Sequence, residues 1–134
     1  MPVRSNLIYR YDGSYPGFLC CVAQCFFSKE VPLDIRPREE DQQSLFGFRE
    51  IPTDPALARR VERSIPRRIS PLALRLVREG FLTDMDQREM TLLRFVLLGY
   101  RAGAQVTRLT THPVVHPLWK AVQGLRHESH HVLE

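Results

Sequence analysis

Apolar positions along this chain follow two rhythms, a short alternating one near the N-terminus and a helical one from there on. Leu7-Ile8-Tyr9-Arg10-Tyr11 is brief, aromatic and β-branched, which suits a strand. Asp12-Gly13 supplies turn chemistry, Ser14 can cap the free N–H groups of a following helix, and Pro16 suits that helix's first turn. Phe18, Leu19, Val22, Cys25 and Phe26 then recur at helical spacing and predict a first helix running to about Lys29. Residues 30–44 hold Pro32, Pro37 and the acidic run Glu39-Glu40-Asp41, and predict an exposed loop. Leu45 to Ile51 alternates weakly through Phe46 and Phe48 and is expected to pair with the first strand. A two-stranded ribbon is marginal alone, so it must lie against helices.

Thr53-Asp54-Pro55 is a helix start, a cap followed by proline. Leu57, Ala58, Val61 and Ile65 fall on one side of that helix, Arg59, Arg60 and Arg63 on the other, and Pro66 is expected to end it. Ser70-Pro71 caps a shorter helix carrying Leu72, Leu76 and Val77, with Gly80 as its C-terminal cap. Asp84 or Asp86 opens the next, which is apolar almost all round from Leu92 to Leu98 and therefore predicts the centre of the core, with Leu93, Phe95, Val96 and Leu97 buried. Gly99 and Gly103 permit close backbone approach or mark where this helix unwinds. The last helix begins near Thr111 or His116 and shows Val115, Leu118, Trp119, Val122 and Leu125 as its inner face. No stop signal precedes Glu134, so the chain reads as cut short at its C-terminus, and the Trp119/Val122/Leu125 face is expected to support self-association. The fold class expected is mainly α: a bundle of about five helices with a small N-terminal two-stranded β-ribbon, as a single domain over 1–134, and α+β if a missing C-terminal half is included.

Composition narrows the compartment more than the function. No apolar run reaches the roughly 18 residues needed to span a bilayer, and the N-terminus lacks the apolar region of a signal peptide. A cytoplasmic location and no membrane partner follow by default. Cys20, Cys21 and Cys25 lie too close together on one helix to form a disulfide framework, and C-C-x-x-x-C is neither a zinc pattern nor a radical-SAM cluster motif. They read as small buried hydrophobes.

Charge carries the first functional signal. The balance of 19 Lys plus Arg against 15 Asp plus Glu is +4, and Lys29 and Lys120 are the only lysines. Arg59, Arg60, Arg63, Arg67, Arg68, Arg75 and Arg78 cluster against Glu62 alone, an excess larger than that of the whole chain. Arginines opposite an apolar stripe suit phosphate contacts, with Arg59, Arg60, Arg63, Arg67 and Arg68 as the nucleic-acid-binding candidates. The alternative is a solvated face, partly neutralised by the acidic run at 39–41. His127-Glu128-Ser129-His130-His131 matches H-E-x-x-H, which on a helix can hold zinc through His127 and His131 with Glu128 as general base. The third ligand is missing from the few residues that follow, so no zinc site is expected, and no other metal or cofactor is implied. There is no phosphate-binding glycine loop and no G-x-S-x-G. Catalysis by this chain alone is not supported.

The motifs together resemble a bacterial family of DNA-metabolism proteins of unassigned function. Its genes neighbour that of a radical-SAM protein, and its domain also occurs fused to uracil-DNA-glycosylase-like enzymes. The resemblance rests on Tyr11-Asp12-Gly13-Ser14 with Gly17-Phe18-Leu19, Gln43-Ser44-Leu45-Phe46, Thr53-Asp54, Ile69-Ser70-Pro71 and Phe81-Leu82. It continues through Leu93-Arg94-Phe95 to Leu98-Gly99-Tyr100, His112-Pro113-Val114-Val115 and Glu128-x-His130. It implies a DNA-repair or DNA-metabolism role beside a radical-SAM or glycosylase-type partner, and together with the arginine face it leads to an expectation of weak, non-specific DNA binding. Two departures stand out. Family members continue into a strand-rich half beyond the Glu-x-His element, and His112 replaces an aspartate. Two other readings stay open: an enzyme completed by that missing half through Asp12, Glu128 and His130, and a protein-interaction adaptor that binds no DNA.

Overall fold

A computed structural model describes residues 3–38 and 47–133, with side chains as far as Leu125. In order these form β1 (Val3–Arg4), β2 (Ile8–Tyr11), α1 (Tyr15–Ser28), β3 (Glu30–Val31), β4 (Asp34–Pro37), β5 (Phe48–Glu50), α2 (Pro55–Arg68), α3 (Pro71–Phe81), α4 (Arg88–Ala102), a 3₁₀ helix (Gly103–Arg108) and α5 (His116–Leu133). The chain is mainly α with a small β part. The chain divides into two compact units, Met1–Glu62 and Arg63–Glu134.

The first unit is built on β2. Ile8, Tyr9 and Tyr11 are buried, and β4 and β5 flank the strand on either side, both parallel to it, in the order β4-β2-β5. A second pair, β1 with β3, is also parallel. Phe48–Glu50 pairs with the first strand as expected, but the expected two-stranded ribbon is corrected to three parallel strands. Parallel neighbours need a long crossover, which α1 supplies between β2 and β4. The loop expected at 30–44 is corrected too. Glu30–Val31 and Asp34–Pro37 are strands, and Ile35 is buried with 2% exposure because its alternation with Asp34 and Arg36 turns it inward. Residues 39–44, with Glu39, Glu40 and Asp41, lie outside the described residues, as do Leu45 and Phe46.

Helix α1 begins as its sequence predicts. Ser14 is extended and its hydroxyl accepts the Gly17 N–H at 3.0 Å, a cap of about 1 kcal/mol. Residues 17–23 are buried all round, including Cys20 and Cys21, and all three cysteines are free. Phe26, expected on the inner face, is instead exposed beside Phe27.

The second unit is helical. Pro66 does not end α2. It removes one N–H, but the Ile69 N–H reaches the Ile65 carbonyl at 2.8 Å across it, and both isoleucines are buried. Ser70 caps α3 through the Ala73 N–H at 3.0 Å. Gly80 is no cap. It sits inside α3, where an added Cβ would lie 2.5 Å from Leu118 Cδ1 and 2.8 Å from Leu92 Cδ2, so its missing side chain lets α4 and α5 approach. Gly99 does the same against Ile69, while Gly103, at φ +70°, ends α4 where the chain tightens into the 3₁₀ helix. Helix α4 starts at Arg88, later than Asp84 or Asp86. It buries Leu92, Leu93, Phe95 and Val96, but Arg94 and Arg101 are exposed and Leu97 and Leu98 half-buried. These four share one stripe, so the helix is amphipathic rather than apolar on every side. On α5, Leu118 and Val122 are buried, and Trp119 and Leu125 half-buried.

Candidate functional site

Helix α2 opens with Asp54, whose carboxylate accepts the Ala56 N–H at 3.0 Å and the Leu57 N–H at 3.4 Å. With about 100° between successive residues, Arg59, Arg63, Arg67 and Arg60 fall within one arc of roughly 100°. The buried Ala58 and Ile65 fall on the far side of the same helix. All four arginines are exposed, and among the described residues none of them makes a salt bridge or side-chain hydrogen bond. Arg68 lies beyond the arc and is engaged, its guanidinium 5.1 Å from the centre of the Tyr100 ring. Arg75 pairs with Glu79 at 3.1 Å. The arginine excess seen in the sequence therefore narrows to Arg59, Arg60, Arg63 and Arg67.

Asp12 is the second candidate. It follows β2, and its Oδ1 accepts the Ser14 hydroxyl at 2.6 Å and the Ser14 N–H at 2.9 Å, while Oδ2 accepts the Thr53 hydroxyl at 2.7 Å. These bonds, that from the Ser14 hydroxyl foremost, hold its carboxyl below the usual carboxylate range. An ionised group with three donors on its two oxygens is a latch between the ends of β2 and β5 and the starts of α1 and α2. It is poorly suited to deliver a proton at neutral pH. Gly17 makes room for it, since a Cβ there would lie 2.2 Å from Asp12 Oδ1. Cys20 belongs to the same junction: its Sγ accepts the Asp54 N–H at 3.3 Å, its S–H donates to the Asp54 carbonyl at 3.4 Å, and burial pushes the thiol up. Sequence reasoning missed Thr53 and Cys20 as partners here. The signal was the spacing from Asp12-Gly13-Ser14 to Gly17, which leaves a bare backbone under a carboxylate.

A further polar cluster is made by Tyr9, Glu30 and Arg49. Tyr9 donates to Glu30 Oε1 at 2.6 Å, and Arg49 stands 3.4 Å from the same oxygen. Burial raises the Tyr9 hydroxyl above its ordinary value and pushes the Cys25 thiol up to about 12, so neither group ionises near neutral pH. This cluster joins β2 to β3 and β5.

Comparison with family models, curated proteins and solved structures yields no match. The side chains of His127, Glu128, His130 and His131, the zinc-like pattern and two of the three weak catalytic candidates, lie outside the described residues. Among the described residues no three His, Cys, Asp or Glu side chains are grouped to hold a metal ion, and no helix is long and apolar enough to cross a membrane.

Proposed function

We propose that this chain is a nucleic-acid-binding module whose contact surface is helix α2, with Arg59, Arg60, Arg63 and Arg67 set against phosphates. One observation carries the reading: four exposed guanidinium groups share an arc of one helix and have no acidic partner among the described residues. Salt-bridged arginines would have to break a bond before meeting a phosphate. These need only shed water and counterions. Arg68, stacked on Tyr100, contributes less than its place in the sequence suggests.

Binding of this kind is weak and blind to sequence, with Kd of about 10⁻⁴–10⁻⁶ M at physiological salt. The family resemblance supports DNA as the polymer and an accessory role beside a radical-SAM or glycosylase-type partner. Catalysis would then rest with the partner, in keeping with an Asp12 occupied as a latch. Fluorescence anisotropy with a labelled DNA oligonucleotide at low salt tests this. Wild type is expected to bind, and Arg59→Glu/Arg63→Glu to lose binding while its circular dichroism is unchanged, because both side chains face solvent. Equal binding by the two proteins would leave the arginines as a solvated face.

A further inference from the structure

Within the first unit, Tyr15, Pro16 and Leu19 of α1 and Pro55, Ala58, Arg59 and Glu62 of α2 line an open groove of about 200 Å³. That volume equals roughly seven waters at about 30 Å³ each, enough for a single flat heterocycle and too little for a base pair. Its walls are mostly apolar, and the two prolines at its mouth are exposed and conformationally fixed. Arg59 belongs to both the groove and the arginine arc. Along α2, Pro55 and Glu62 lie between the arc and the buried Ala58, so the groove's edge and the arc meet at Arg59.

We infer that this groove seats one unstacked nucleobase of a single-stranded nucleic acid, while the arginines from Arg59 onward hold its phosphates. The inference rests on the nucleic-acid reading above. Charge decides the occupant. A phosphate has no place among apolar walls and beside Glu62, whereas a neutral planar base does, and its own phosphate then falls toward Arg59. An apolar peptide side chain would suit the walls but would leave the adjoining cations without a counterpart. Pairing an apolar platform for bases with a basic track for the backbone is how single strands are held without regard to sequence.

Two strands with equal phosphate count separate the contributions: an oligo-dT, and the same backbone carrying abasic spacers at every position. With wild-type protein at low salt, the base-bearing strand is expected to bind roughly tenfold or more tightly than the abasic one. A duplex, whose bases are stacked and paired, is expected to bind no better per phosphate than the abasic strand. Tyr15→Ala, checked for an unchanged melting profile, should bring the dT strand close to the abasic one. Equal affinity of the two strands for wild type would overturn the groove while leaving the phosphate surface standing. Failure of both strands to bind would remove both.

Discussion

Asp12 shows how much one carboxylate can organise. Its three donors come from Ser14 and Thr53, so it ties two strand ends to two helix starts. Asp12→Asn replaces one accepting oxygen with a donor and should cost about 1 kcal/mol at neutral pH. The pH dependence follows from the sign of the shift. Its carboxyl is held low in the folded chain, so its contribution is complete above the unfolded value of about 3.9 and is lost as pH falls through the folded value. Urea melts should therefore separate wild type from Asp12→Asn at pH 7 and bring them together in strong acid. A gap that persists there would mean that charge is not what holds the turn. At Gly80 the expectation is steric. An added methyl meets Leu118 and Leu92, overpacking costs about 1–3 kcal/mol, and better helix propensity returns up to about 1. Gly80→Ala should lose about 1 kcal/mol in a denaturant melt, and a gain would mean that the neighbours move aside freely.

At the scale of elements, the helices and the pairing of β5 with β2 were legible, while β4 and the parallel sense of the sheet were not. Ser14, Asp54 and Ser70 announce helix starts locally, and each caps as its sequence says. Pro66 is a local breaker signal that its surroundings override, since buried Ile65 and Ile69 carry the helix past it. The pairing of β4 was hidden because the four-residue strand follows Pro32 and ends on Pro37, prolines that read as loop. Helix α4 gives a direct comparison. Leu93 is fully buried and Leu97 only half, although both sit in the same apolar run. Leu93→Ala should cost about 2–5 kcal/mol and Leu97→Ala clearly less. Equal losses would mean that the half-buried stripe of Arg94, Leu97, Leu98 and Arg101 is covered in solution.

At the scale of the whole molecule, the net charge of +4 understates the local field on α2, where Arg59, Arg60, Arg63 and Arg67 share one arc. The arginine arc was legible in sequence, since helical spacing sets it opposite Ala58 and Ile65. Spacing also offers the i,i+4 pair of Arg75 with Glu79, but it could not show that Arg68 is engaged, because Tyr100 belongs to another helix. The groove between α1 and α2 was equally hidden, as its two walls are distant in the chain. The central claim, that α2 neutralises phosphates, is tested most directly by the salt dependence of binding to a single strand. Each phosphate neutralised contributes a log–log slope of about −0.7, so four arginines predict a slope near −2.8 for wild type. Changing Arg59, Arg60, Arg63 and Arg67 to Gln one after another should flatten it by about 0.7 each time, approaching zero in the quadruple variant. A quadruple variant that keeps the wild-type slope would contradict the account.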